Sequence, residues 1–89
     1  MSDVVSLDEL PHLTPRQREV LAWICRYWSS QRHAPTQREI AEGMGTSGHT
    51  AAPLVEPLLK KGYLQRTEAA VRNLRPTPRA FAKLEDPMS

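Results

Sequence analysis

The sequence predicts a mainly α-helical domain with a small β-hairpin, arranged as a winged helix-turn-helix. Helix starts with a threonine cap recur at residues 14–17, 36–39 and 77–78. Residues 36–61 have the spacing of two helices joined by a glycine-bearing turn. Gly62 then precedes two short segments that are typical of paired strands.

The first helix is predicted to begin at Pro15, with Thr14 as its N-cap and Gln17 completing a capping box. Its apolar stripe at helical spacing comprises Val20, Trp23, Ile24, Tyr27 and Trp28, with Leu21 at its edge. Because both tryptophans share that stripe, we expect them to lie in the core rather than to form a ligand surface.

The second and third helices form the predicted helix-turn-helix. Thr36 and Glu39 make another capping box, and Gly43 and Gly45 bracket the turn. Ser47 is expected to cap the third helix, and Gly62 to end it. The predicted buried positions of these two helices are Ile40, Ala41, Met44, Ala51, Val55 and Leu58.

Two prolines interrupt the pattern of the third helix. A proline inside a helix removes a hydrogen bond and costs about 3 kcal/mol. Pro53 is tolerable if the helix starts late, whereas Pro57 predicts a kinked or irregular helix. Together with Leu54, these prolines are expected to form an apolar outer patch that suits a protein partner.

The remaining elements complete the wing and the domain. Residues 63–66 and 71–75 are the predicted strands, and a last helix from Pro78 to Glu85 is expected to bury Phe81 and Leu84. The predicted organisation is an N-terminal tail at residues 1–13, a winged-helix domain at 14–85 and a C-terminal tail at 86–89.

Length and composition indicate one small domain of 89 residues without catalytic machinery. No apolar run approaches the ~20 residues that cross a bilayer, and the start has no secretion signal. The single Cys25 suggests a reducing compartment, so we expect a cytoplasmic location without membrane contact. His12, His33 and His49 are too far apart for a local metal motif, and we expect no enzyme activity, cofactor or metal.

Charge is unevenly distributed around a net value of +2. Residues 1–13 contain three acidic residues and no Lys or Arg. Residues 60–83 contain seven Lys or Arg against one Glu, a local excess of +6. Such a concentration of positive charge suits nucleic-acid phosphate.

Several of these residues resemble the N-terminal DNA-binding domain of LexA, the SOS-response repressor. Thr14-x-Arg16-Gln17-x-Glu19-Val20 is similar to its first helix, Pro35-Thr36-x-x-Glu39-Ile40-Ala41 to its second, and Lys61-Gly62 to the end of its recognition helix. The resemblance covers residues 13–76 and implies a DNA-binding regulator. The spacing after Gly45 and the Thr77-Pro78 helix are more similar to MarR-like winged helices.

The sequence also departs from the LexA pattern. The family's recognition helix uses a serine, an asparagine and paired glutamates, whereas this chain keeps only the serine, as Ser47. His49 replaces the asparagine, and Ala52 and Pro53 stand where the glutamates would be. The self-cleaving C-terminal domain and its Ala-Gly cleavage site are absent from the sequence. We therefore expect a repressor-like regulator without self-cleavage, whose operator differs from that of LexA.

Two functions remain open. The first is a transcriptional regulator bound to double-stranded DNA, as a homodimer if its site is palindromic. Base reading is then expected from Arg38, Ser47, His49 and Thr50, and backbone or minor-groove contact from Lys60, Lys61, Arg66, Arg72, Asn73 and Arg75. The alternative is a protein-binding module or antagonist on the same scaffold, which would dock on another protein through Pro53, Leu54 and Pro57.

Overall fold

The computed structural model describes residues 10–46, 51–68 and 72–85. Its elements are α1 (Pro15–Gln31), α2 (Gln37–Gly43), α3 (Ala51–Lys60), β1 (Leu64–Arg66), β2 (Leu74–Pro76) and α4 (Pro78–Leu84). The strands pair antiparallel, with Gln65 opposite Arg75 at the centre of the register. The predicted fold, a mainly α winged helix-turn-helix with a small hairpin, is confirmed; we call β1, β2 and the described residues between them (67, 68, 72 and 73) the wing.

Local signals placed the starts of α1, α2 and α4 correctly, whereas the expected Ser47 cap of α3 lies outside the described residues. In the first capping box, Gln17 N donates to Thr14 Oγ1 (3.2 Å) while Thr14 N donates to Gln17 Oε1 (3.1 Å). Thr36 and Glu39 form the same reciprocal pair at 3.0 and 2.9 Å. Thr77 differs, because its hydroxyl donates to the Gly62 carbonyl (2.7 Å) and makes no cap bond. That contact instead fastens the start of α4 to the end of α3.

The end of α3 also follows the prediction. Gly62 adopts φ +83°, and Gly62 N and Tyr63 N donate to the carbonyls of Leu59 (3.2 Å) and Leu58 (2.9 Å). This pair of bonds is a Schellman motif, which requires the left-handed backbone that glycine adopts readily. The chain therefore turns sharply from α3 into the wing.

Pro57 does not end α3, because the helix continues through it to Lys60; the expected kink at this residue stays a prediction. The missing N–H of Pro57 would have bonded the carbonyl of Pro53, four residues earlier. Because Pro53 lies exposed, water can take the place of that donor.

The core differs from the predicted stripe of α1. Val20, Leu21, Ile24 and Cys25 are the buried residues of this helix, whereas Trp23, Tyr27 and Trp28 are only half-buried. The tryptophans thus flank the core and do not fill it. The other predicted buried positions mostly hold, with Ile40, Ala41, Ala51, Val55 and Leu58 buried and Met44, Phe81 and Leu84 half-buried against the core.

Residues 10–13, assigned above to the tail, pack as part of the domain. Leu10 and Leu13 are buried, and the hydroxyl of Tyr63 donates to the carbonyl of Pro11. Apolar side chains at Leu10 and Leu13 supply the reason, since burying them removes hydrocarbon from water. The packed domain therefore starts before the first helix.

Candidate nucleic-acid interface

The solvent-facing side of α3 is the surface that a helix-turn-helix presents to the major groove. Ala52, Glu56 and Lys60 are exposed there at spacings of four residues, and exposed Pro53 lies three residues before Glu56, so all four share one face. Ala52 and Pro53 offer only hydrocarbon, while Glu56 offers acceptor oxygens. In a major groove, the hydrocarbon of Ala52 and Pro53 would suit thymine methyl groups, and the oxygens of Glu56 would suit a cytosine amino group.

The predicted base-reading residues are mostly beyond what the structure describes. Ser47, His49 and Thr50 lie outside the described residues, so their expected DNA contacts stay predictions. Arg38 is exposed on α2, with its Nε 3.5 Å from Glu42 Oε2. An exposed pair of this kind contributes little to stability and exchanges readily with another anion.

The adjacent lysines at the end of α3 have different environments. Lys60 is exposed and makes no hydrogen bond or ion pair within the described segments. Lys61 is half-buried, and its Nζ donates to the carbonyl of His12 (2.7 Å) and to Gln17 Oε1 (2.8 Å). Lys60 is therefore available to a phosphate, whereas Lys61 fastens α3 to the start of α1.

Two further cations lie on the wing strands. Arg66 Nη2 is 3.6 Å from Glu56 Oε2, an exposed pair that links the wing to the face of α3. Arg75 lies over the ring of Trp28, with its Cζ 5.3 Å from the ring centroid. Such an exposed cation–π contact stabilises by about 0.5–1 kcal/mol, weak enough for Arg75 to turn toward a phosphate.

Arg72 is the predicted phosphate contact whose environment differs most from the expectation. Its two terminal nitrogens pair with both carboxylate oxygens of Glu39, at 2.8 and 3.1 Å. Its neighbour Asn73 is half-buried, and its carbonyl accepts the N–H of Thr67 (2.8 Å), which extends the hairpin ladder. Arg72 is thus joined to the body of the domain, and Asn73 has a backbone role in the wing.

Several hydrogen-bond donors stabilise the ionised carboxylate of Glu39. The hydrogen bonds from Arg72, followed by that from the backbone N–H of Thr36, lower its pKa from 4.5 to about 2. Tyr27 adds a further bond, its hydroxyl donating to Glu39 Oε1 at 3.1 Å. Sequence reasoning found Glu39 only as a capping residue, because nothing in the chain signals its pairing with a residue 33 positions away.

The predicted protein-contact patch is not continuous. Pro53 is exposed and Pro57 half-buried, but Leu54 packs against the hydrophobic core.

In the described part of the chain, no helix is long and apolar enough to cross a membrane. The same residues hold no cluster of His, Cys, Asp or Glu that would bind a metal.

Comparison with known proteins identifies similar chains. The family model for the LexA DNA binding domain matches residues 11–73. The LexA repressor of Oleidesulfovibrio alaskensis is 40% identical over 62 residues, which cover 70% of this chain and 30% of that repressor. The LexA repressor of Citrifermentans bemidjiense is 42% identical over 66 residues, covering 73% and 33%. The chain therefore spans about a third of the length of these repressors.

Solved structures share the fold. MepR, a transcription regulator of the Staphylococcus aureus multidrug efflux pump MepA, superposes with a TM-score of 0.67 at 24% identity, covering 82% of this chain and 53% of MepR. MepR in a structure of its DNA complex gives the same TM-score and identity, covering 82% and 52%. At this identity the likeness concerns the winged-helix architecture alone.

Proposed function

Because the chain belongs to the LexA DNA-binding domain family, we propose that it is a repressor-like transcriptional regulator that binds double-stranded DNA. The observation that carries the proposal is the extent of the family match, residues 11–73, which takes in the helix-turn-helix and the wing as far as Asn73. In the proposed complex α3 enters the major groove and the wing lies along the adjacent backbone.

Phosphate contacts supply most of the proposed affinity. Without Lys61 and Arg72, the exposed cations among the predicted backbone contacts are Lys60, Arg66 and Arg75. Each phosphate contact contributes about 0.9 to the slope of log affinity against log salt, so three give a slope of roughly −2.7 per chain. Raising salt from about 50 to 200 mM would then weaken binding roughly fortyfold.

Base readout is the smaller contribution. Ala52 and Pro53 suit contact with thymine methyl groups, and Glu56 suits a cytosine amino group. A site recognised in this way differs from one read by the asparagine and glutamates of LexA. If the site is palindromic, a homodimer is required to occupy both halves.

The adjacent lysines provide a matched test by fluorescence anisotropy with labelled duplex DNA over a range of salt. Lys60→Ala is expected to reduce the salt slope by about one unit, because it removes an available cation. Lys61→Ala removes the same charge but breaks the bonds to His12 and Gln17. Its slope should match the wild type while its melting temperature falls. Equal slopes for Lys60→Ala and the wild type, or duplex binding insensitive to salt, would contradict the proposed interface.

A protein-binding module is the second candidate, favoured by the bare hydrocarbon that Ala52 and Pro53 expose on α3. Pro53→Lys separates the two functions. On a DNA-binding face the added cation should tighten duplex binding severalfold, whereas on an apolar docking face it would place a charge in a desolvated contact. Unchanged duplex affinity in Pro53→Lys would show that this face of α3 does not approach DNA.

A further inference from the structure

We propose, on the basis of the DNA-binding function above, that Arg72 is a positioning residue of the interface and not a phosphate contact. Its guanidinium fastens the wing to the corner between α1 and α2 through Glu39. The wing then has one fixed orientation relative to α3, and both meet DNA as a single surface. We call the group of Arg72, Glu39, Tyr27 and the Ala34 carbonyl the wing clamp.

The central contact of the wing clamp is a bidentate ion pair. Arg72 Nη1 donates to Glu39 Oε1 at 2.8 Å, and Nη2 donates to Glu39 Oε2 at 3.1 Å. The two side chains are 38% and 32% exposed, so the pair is partly shielded from water. Parallel bonds of this kind fix the orientation of the guanidinium as well as its position.

Other acceptors converge on the same guanidinium. Nη1 of Arg72 also lies 3.0 Å from the hydroxyl of Tyr27 and 3.1 Å from the carbonyl of Ala34. The Nδ1 atom of His33 is 3.2 Å away. These partners come from α1 and from the segment before α2, so a wing residue is bound at the meeting point of two helices.

The backbone at Arg72 gives a second, independent indication. Arg72 adopts φ +59°, the left-handed region that residues with a Cβ rarely occupy. Such conformations persist where surrounding contacts impose them. The left-handed residue is also the one whose side chain reaches Glu39, which is expected if the wing clamp holds this conformation.

Glu39 is well placed to hold the wing without losing its role in α2. Its Oε1 accepts the backbone N–H of Thr36 at 2.9 Å, which fixes the carboxylate at the start of the helix. To reach a phosphate, Arg72 would have to leave both oxygens of this ordered carboxylate. Lys60 faces no such competition within the described residues, which is why we assign phosphate contact to it.

The decisive experiment compares Glu39→Gln with Glu19→Gln, two substitutions that raise the net charge equally; Glu19 is exposed and pairs with Arg16, which has no assigned contact with DNA. Glutamine retains the capping function at position 39 but weakens the hold on Arg72. If Arg72 positions the wing, Glu39→Gln should bind duplex DNA less tightly than Glu19→Gln. If a released wing holds the binding orientation about a tenth of the time, the difference is roughly tenfold. A phosphate-contacting Arg72 would give the opposite order, because Glu39→Gln would free it.

Substitution of Arg72 itself provides the second readout. Arg72→Ala should weaken binding with an unchanged salt slope, whereas loss of a true phosphate contact lowers the slope by about one unit. Arg72→Lys should also bind weakly, because an ammonium keeps the charge but cannot make the bidentate pair. Near-normal affinity in Arg72→Lys, or a slope reduced by one in Arg72→Ala, would overturn the proposal.

A measurement without DNA separates this proposal from the proposed function. The N–H of Thr67, which donates to the carbonyl of Asn73 in the wing, should exchange with solvent faster in Arg72→Ala and in Glu39→Gln. The double variant should exchange no faster than Arg72→Ala alone, since that substitution already removes the contact with Glu39. Unchanged or additive exchange rates would refute the wing clamp even if DNA binding is normal. If the Thr67 amide of the wild type is protected from exchange but the protein does not bind duplex DNA, the wing clamp is supported and the DNA-binding function is refuted.

Discussion

Gly43 lies at the end of α2 directly against the indole of Trp23, and its replacement tests how α2 is held on α1. A Cβ at Gly43 would lie less than 3.0 Å from three atoms of that ring. The two groups would have to separate by roughly 1 Å to reach ordinary contact, and overpacking of this size costs about 1–3 kcal/mol. The opposing gain in helix propensity from Gly to Ala is at most about 1 kcal/mol.

The steric cost should exceed the gain in propensity, so Gly43→Ala is expected to destabilise the domain by about 1 kcal/mol. For a domain of this size, that corresponds to a fall in melting temperature of roughly 4–8 °C. Thermal unfolding followed by circular dichroism measures the change. Near-ultraviolet dichroism should change as well, because Trp23 stacks on Tyr27 with ring centroids 5.4 Å apart.

Two controls isolate the cause. Gly45→Ala also destabilises, because Gly45 has φ +74°, but nothing lies within 4 Å of the added Cβ and the tryptophan signal should stay unchanged. In a Trp23→Leu background, Gly43→Ala should become neutral or stabilising. A higher melting temperature for Gly43→Ala in the otherwise native chain would refute the reasoning.

Three further outcomes are expected. Because the folded pKa of Glu39 is lowered from 4.5 to about 2, its contribution to stability is present above pH 4.5 and is lost as pH falls toward 2. When the free energy of unfolding is measured over that pH window, it should fall less for Glu39→Gln than for the wild type. Leu54→Glu should destabilise the domain by roughly 1–3 kcal/mol, since Leu54 packs on the core, whereas Pro53→Glu at an exposed position should leave the melting temperature nearly unchanged. The fluorescence emission of Trp28 should change when duplex DNA is added, because Arg75 leaves its ring to contact a phosphate. Arg75→Gln should abolish that change. Unchanged emission in the wild type would show that Arg75 does not turn to the phosphate.

The parts of the fold that sequence predicted are those determined by neighbouring residues. Thr14 with Gln17, and Thr36 with Glu39, form bonds over three positions, so their capping boxes are visible in the sequence. Gly62 likewise ends α3 through bonds to the preceding turn. Each of these features depends on local backbone geometry, which a short stretch of sequence specifies.

The features that sequence could not predict depend on packing between distant segments. The α1 stripe was centred on large rings, but the structure buries Leu21 and Cys25 and leaves Trp23 and Trp28 at the edge. A wide helical stripe leaves the direction of the core uncertain by one position. Predicting the partner of Arg72 would have required knowing how the wing folds back onto α2.

The candidate site shows the same division. Counting charges identified residues 60–83 as basic, but the count treats every cation alike. In the structure Lys61 stabilises the fold, Arg72 holds the wing and Lys60 is available. Which cation serves which purpose is decided by the acceptors around it, and those come from elsewhere in the chain.

Burial of Cys25 makes it a natural reporter of how often α4 detaches from α1. Its pKa is raised to about 12, chiefly by desolvation, so the enclosed thiol is almost never the reactive thiolate. Phe81 and Leu84 of α4 line the same surface depression as Cys25. Because the side chain is only 5% exposed and its thiol is desolvated, alkylation should be slow while α4 is docked and faster when that helix moves away. A single intrinsic sulfhydryl thus allows the docking of the last helix to be timed without an added label.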